Sequence, residues 1–524
     1  MISHAPIHRF LADQSGAVAA TYGLSLFALI MVGGVGFDYA RLAGMDSELQ
    51  NGADQAALAG ATQLDGKSGA CSRAAAAAIG LVTNTTILAS THSISVASES
   101  ACDATGTVRF WQNRDATQAA TSDANARYIE LDVAARSVDY ALTPVGGLLH
   151  ATSKASAMAG IGSSICKVPP VFMCNPAEAS DVSFNTPDYI GKGIRLIAND
   201  GGGNYGPGNF GYLQSNAGNG AQAVAQTLGR TEIPGDCLGI DGVDTKPGVQ
   251  VSVLDALNTR FDVYANGLNQ ACGNGNGLCP PSANTRKDLM HKGGTGNCAF
   301  QTGNGNGWHE APHPYVPTSA TTPLTAAQIT GLSPMGYPRD MCHAVSLTGS
   351  CAKGQIGDGN WDRNAFFKTN GANYPSTFDV GGTFGTAAPT RYQVYRYEAA
   401  NAGSRLQIQA DGSDTSRPQP YCQAPGVPVG GVSGGNGAAD RRVISVAVIN
   451  CQSQGIGGAS SGVQVQKWVD VFLVEPAVAR KSGSTKLTEQ SDVYVEVIRE
   501  TSLGSGGGSS AAQMIRRDVP YLVK

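Results

Sequence analysis

"FLADQSGAVAATYGLSLFALIMVGGVGFDYARLAGMDSELQNGADQAALAGATQL", residues 10–64, decides how the rest of the chain is read. Its first half is apolar: Ala17 to Phe37 are 21 consecutive residues without a charge. At ~1.5 Å rise per residue, a helix of that length reaches ~31 Å, about the hydrocarbon thickness of a bilayer. The second half carries Asp38, Arg41, Asp46 and Glu48. Even so, Leu42, Met45, Leu49, Ala53, Ala56 and Ala59 recur at three- and four-residue steps, which keeps one face apolar. No proline interrupts residues 17–64. The pattern predicts one long helix, its first half in lipid and its second half in water. A retained anchor is the simplest reading. A cleaved secretory signal would have a shorter apolar region with a small-residue cleavage site soon after it. A buried core helix is the third possibility.

Outward from this stretch, charge gives only a thin orientation signal. Residues 1–16 carry Arg9 with His4 and His8, and Arg41 stands just beyond the other end. Bulk is more informative, because long polar domains translocate largely regardless of charge. Cysteine usage points the same way. Cys71, Cys102, Cys166, Cys174, Cys237, Cys272, Cys279, Cys298, Cys342, Cys351, Cys422 and Cys451 make an even twelve with no CxxC pair. That disfavours zinc ribbons and thioredoxin-like sites and suits disulfides in an oxidising compartment. All twelve are read as disulfide cysteines. Cys71–Cys102 would be local to the N-terminal region, and the other connectivities stay open. The tail is therefore expected in the cytoplasm and everything after about Asp38 on the opposite side of the membrane.

The net charge of −4, with 15% charged residues, offers no basic field for nucleic acid. The 68 glycines imply a loop-rich body, and 42% hydrophobic residues still suffice for a core. Residues 72–82 are alanine-rich and helical in character. "ISV", "TVRFW" and "YIELDVAARSVDYAL" read as strand-like or mixed, which makes residues 38–164 an α+β lobe. Residues 165–440 are rich in Gly, Asn, Pro and Ser, and are dominated by turn chemistry. Within them "VSVLDALNTRFDVYANGL" is the best helix, with Leu254, Leu257, Phe261 and Tyr264 on one face and Gly267 as its stop. "RRVISVAVINC", "KWVDVFLVEP" and "SDVYVEVIRE" read as strands, and "MIRRDVPYLVK" can return as an edge strand.

Several motifs invite chemistry. His309-Glu310-Ala311-Pro312-His313 has the HExxH form of zinc proteases, but Pro312 falls inside the helical turn that motif needs. Asp411, Ser413 and Thr415 have a D-x-S-x-T order without the following helix a metal site of that kind requires, and a solvated turn is expected. Asp241 with Asp244, and Asp358 with Asp362, lack EF-hand spacing. G-x-S-x-G occurs around Ser433 and Ser460 without a strand-to-helix elbow. No catalytic, cofactor-binding or metal residue is assigned, and no cofactor or enzymatic activity is expected.

"DQSGAVAATYGLSLFALIMVGGVGFDYARL" followed by "LQNGADQAALAGATQL" resembles the N-terminal module of TadE/TadG-type proteins of the bacterial tight-adherence (Flp) pilus machinery. "ALNTRFDVY" and "GDGNWDRNAFF" resemble segments of TadG-like C-terminal regions. Type IV pilins and TadE-type pseudopilins carry Glu at the fifth position after a processed Gly. Counting from Gly16 that residue is Thr21, so the resemblance implies an unprocessed, TadG-like anchor.

The expected fold class is α+β. A cytoplasmic tail (1–16) leads to a transmembrane helix (17–37), which continues into a pilin-like α+β module (38–164). A loop-rich, disulfide-containing, β-rich α/β domain (165–524) follows. The resemblance implies a single-pass inner-membrane protein, its C-terminal domain in the periplasm, assisting pilus assembly or anchoring beside TadE/TadF-like partners. Gly33, Gly34 and Gly36 permit close helix approach in the membrane. Leu42, Met45 and Leu49 would pack on partner helices or on the protein's own lobe. The rival expectations are an extracytoplasmic metal-dependent hydrolase and a secreted adhesin with a cleaved N-terminus.

Overall fold

The computed structural model describes residues 15–82, 101–146, 149–165, 169–198, 204–214, 220–230, 238–239, 242–246, 251–265, 268, 271–272, 278–294, 297–422, 440–501 and 516–523. The chain divides into two compact units, Met1–Gly162 with Asp518–Lys524, and Ser163–Arg517. The fold class is α+β, as the sequence implies.

Unit 1 is built on helix α1 (Ser15–Ala61), which runs unbroken from the apolar stretch into the amphipathic one. Helix α2 (Ala70–Val82) packs beside its second half. Both contact faces are alanine: Ala53, Ala56, Ala57 and Ala61 on α1, with Ala74, Ala75 and Ala78 on α2, all buried. Small side chains let the two backbones approach closely at little entropic cost. Strands β1 (Val108–Trp111), β2 (Tyr128–Asp139) and β3 (His150–Ile165) form an antiparallel sheet whose inner face supplies Phe110, Ile129, Leu131, Val133 and Val138 to the same core. Alternation along β1, buried and half-buried in turn, is the period-2 pattern of a sheet with one covered face.

The strand Arg516–Leu522 joins this sheet beside β3. Val523 N–H donates to Met158 O at 2.8 Å, and the Tyr521 and Tyr128 rings meet edge to face. A single linear domain over 165–524 therefore does not describe the chain's end: sheet edges pair by hydrogen-bond register, not by chain order. Tyr128 lies across Gly160, its cross-strand partner, where an added Cβ would come within 2.4 Å of the ring.

Unit 2 is organised by a closed six-stranded barrel. Its strands are β4 (Val171–Cys174), β5 (Gly193–Ala198), β6 (Asn209–Tyr212), β7 (Val443–Ile449), β8 (Lys467–Leu473) and β9 (Asp492–Glu500). They close in the order β7-β8-β9-β5-β6-β4. The pairs β7/β4 and β5/β6 are parallel and the rest antiparallel. Residues of β7 are buried throughout, which explains its unbroken Val/Ile run. The Cys174–Cys451 disulfide joins the ends of β4 and β7.

The helix expected over 251–268 is cut short. Val251–Leu254 and Thr259–Phe261 are 3-10 turns around a single α turn, Asp255–Asn258. Asp262 ends it by adopting φ 65°, and its carboxylate accepts the Tyr421 and Cys422 N–H groups. Leu254, Leu257 and Phe261 are buried as the periodicity implies, and Gly267 lies outside the described residues.

Candidate membrane–lobe junction

The long helix changes character at Asp38. N-terminal to it, Val18, Tyr22, Leu24, Leu26, Phe27, Leu29, Ile30, Val32, Val35 and Phe37 are all exposed. Only 6% of the most apolar 18-residue window is buried, so this is not a core helix. C-terminal to it, Met45 and Leu49 are buried and Leu42 is half-buried, in the core shared with Leu131 and Val133. Leu42, Met45 and Leu49 thus pack on the protein's own lobe. Gly33 and Gly36 meet nothing within 4 Å, which leaves that side of the helix open. Gly34 differs, because an added Cβ would stand 2.9 Å from the Leu142 Cβ.

Asp38 is 1% exposed and grips the turn after β2. Its Oδ1 accepts Ala141 N–H at 2.7 Å. Its Oδ2 accepts Leu142 N–H at 3.0 Å, Thr143 N–H at 2.8 Å and the Thr143 hydroxyl at 2.8 Å. Four donors on one carboxylate satisfy a buried charge and three loop N–H groups together. One turn further along, Arg41 Nη1 donates to Asp139 O at 3.0 Å. Asp46 accepts the Ser153 hydroxyl, and Gln50 Nε2 donates to Ser156 O at 3.1 Å. The turn closes on itself through Tyr140 N–H to Leu149 O at 2.9 Å. The partnership of Asp38 with Thr143 spans 105 residues and no local pattern announces it; the one signal is a lone acid directly after an uncharged run.

At the far end of the lobe, Asp123 accepts Gly69 N–H and Cys71 N–H, both at 2.9 Å, at the start of α2. These bonds hold its carboxyl below the usual range. The Cys71–Cys102 disulfide ties the same helix start to the segment before β1, as expected from their locality.

Among the described residues three further disulfides are present: Cys174–Cys451, Cys272–Cys279 and Cys342–Cys351. Cys166 and Cys237 lie outside the described residues. Cys298 and Cys422 depart from the disulfide expectation: they stand as thiols whose side chains hydrogen-bond to each other.

The motifs that invite chemistry are used structurally. Gly307–Glu310 is a strand, so His309 and His313 are not one helical turn apart. His309 Nε2 contacts Gly305 O at 2.6 Å, and Glu310 accepts Lys481 N–H. Asp411 and Asp414 flank a tight hairpin at Gly412, and Asp411 accepts the Ser333 hydroxyl. Asp362 caps the helix Arg363–Thr369 through Ala365 N–H, while Asp358 accepts Asn360 N–H. Asp244 accepts Gly462 N–H; Asp241 and Ser433 lie outside the described residues. Among the described residues, two clusters come within metal-ligand distance: Cys342/His343/Cys351 and Cys71/Cys102/Asp123. In each, the cysteines are bonded to one another and have no thiolate to offer.

Residues 16–63 match the protein family described as putative Flp pilus-assembly TadE/G-like. No curated protein and no solved structure matches the chain. The match spans the exposed apolar run, Asp38 and the half of α1 that forms the lobe's core, and it supports a role related to Flp pilus assembly.

Proposed function

We propose that the chain is a single-pass inner-membrane protein that assists assembly or anchoring of a tight-adherence (Flp) pilus. Its action is mechanical: it fixes a folded body at the membrane surface for other pilus-assembly proteins of TadE/TadF type to engage. The observation that carries this reading is the continuity of α1, whose apolar half is uncovered while its amphipathic half is core, with the pilus-assembly match lying across both. Ala17–Phe37 is the span, the preceding tail is cytoplasmic, and both folded units are periplasmic. Four disulfides support the periplasmic side, since such bonds persist in oxidising compartments. Gly33 and Gly36 mark the side of the span open to a partner helix.

The test is detergent extraction of native membranes followed by capture through a C-terminal tag. Recovery of other pilus-assembly components with the chain supports the reading. Capture of the intact chain from membranes without any of them would sink the assembly role while leaving the anchor in place.

A further inference from the structure

We propose that the turn after β2 is a foot at the membrane interface, with its described residues Leu142 and Leu149 in the headgroup–acyl boundary of the leaflet where α1 emerges. The proposal rests on reading Ala17–Phe37 as a membrane span, and it adds a second point of lipid contact on the same unit.

Three observations converge. The first is depth. Leu142 sits against Gly34, which lies three residues inside the uncharged run, or ~4.5 Å along the helix axis from Phe37. With residues 17–37 filling the hydrocarbon thickness, a side chain packed at Gly34 stands just inside the hydrocarbon edge, within a side chain's reach of the headgroup boundary. The second is composition. "YALTPVGGLL", residues 140–149, has no charged side chain, and Leu142 and Leu149 are 43% and 61% exposed. Outside α1, the large exposed hydrophobics among the described residues of unit 1 are these two and Leu522. Phe37 and Tyr39 are also exposed at the helix exit, where aromatic rings settle at an interface.

The third observation is polar satisfaction. A loop entering a lipid boundary needs partners for its backbone groups, because water is scarce there. Ala141, Leu142 and Thr143 N–H groups all end on Asp38, and Tyr140 N–H ends on Leu149 O. A carboxylate buried at a membrane exit is costly alone, and four donors offset that cost. The same contact therefore makes both the acid and the N–H groups of Ala141, Leu142 and Thr143 compatible with that depth.

The experiment places the photoreactive residue p-benzoylphenylalanine at position 142, 149, 27 or 67 of the full-length chain. Irradiation is done in phosphatidylethanolamine/phosphatidylglycerol vesicles and in native membranes. Position 27 reports the span, and position 67 lies in the turn beyond the far end of α1, an end ~35 Å from Asp38. Lipid adducts at 142 and 149 within about threefold of position 27, and about tenfold above position 67, are the expected result. Lipid adducts at 27 with none at 142 or 149 would overturn the foot and leave the span intact. Adducts at 142 or 149 to another protein instead of lipid would overturn it equally, by naming a different occupant. No lipid adduct at position 27 would remove the span on which the proposal rests. Because position 149 is the more exposed, it keeps the test open where a bulky residue beside Gly34 disturbs packing.

Discussion

The two units hold their interiors together by opposite means. Unit 1 has a core dominated by alanine, valine and leucine, and among its described residues Asp38, at the helix exit, is the most deeply buried charge. Unit 2 buries a set of ion pairs. Arg391 bridges Asp340 and Glu496, Arg339 bridges Glu475 and Asp492, and Arg286 pairs with Glu398, which also accepts the Tyr337 and Tyr374 hydroxyls. The contrast follows from composition. A long helix with many alanines can close a core by backbone approach, whereas a chain rich in glycine turns has few long elements and must fasten loops with side chains. Burying such pairs is costly when one member is removed, since the other is left without a partner.

That contrast predicts how each unit breaks. The largest effect is expected from Cys174→Ala with Cys451→Ala, which opens a bond between residues 277 apart and lowers the stability of unit 2 by about 5 kcal/mol. Denaturant unfolding with and without reductant measures it; equal midpoints for variant and parent under oxidising conditions would refute the assignment. Next, Arg391→Ala leaves Asp340 and Glu496 unpartnered and costs unit 2 about 4 kcal/mol, while α1 and its sheet keep their exchange protection. An Arg391→Ala chain as stable as the parent would mean the network is ornamental.

In unit 1, Asp38→Ala is expected to release the Ala141, Leu142 and Thr143 amides, raising their hydrogen exchange by about tenfold or more while the α1/α2 interface stays protected. Unchanged exchange there would show that the turn is held by something else. The smallest effect belongs to Asp123. Its folded carboxyl titrates below the unfolded value, so its contribution is present above about pH 4 and fades as pH falls through the folded pKa. Asp123→Asn should lower the stability of unit 1 slightly at neutral pH, flatten that acid limb of the profile and change little below the folded pKa.

Legibility in the sequence tracks the same division. The helix of residues 15–61 was readable because its apolar spacing and its uncharged run are local. β7, β8 and β9 were readable as Val/Ile runs between turns. β4, β5 and β6 are not, because four to six residues are too short to establish a period and they sit among prolines and glycines. The helix expected over 251–268 stops at Phe261, since its end depends on Asp262 meeting Tyr421 and Cys422, a contact 160 residues away. Asp38 could be seen as a boundary, but its partners could not, for the same reason of distance along the chain.

The central claim is that α1 stays whole, with its apolar half in lipid and its other half inside a folded lobe. Alkaline carbonate extraction of native membranes, followed by intact-mass measurement of the pelleted chain, tests it most directly. The account predicts the chain in the pellet with residues 17–37 still attached. A carbonate-soluble chain, or one whose mass begins beyond about residue 43, would contradict it.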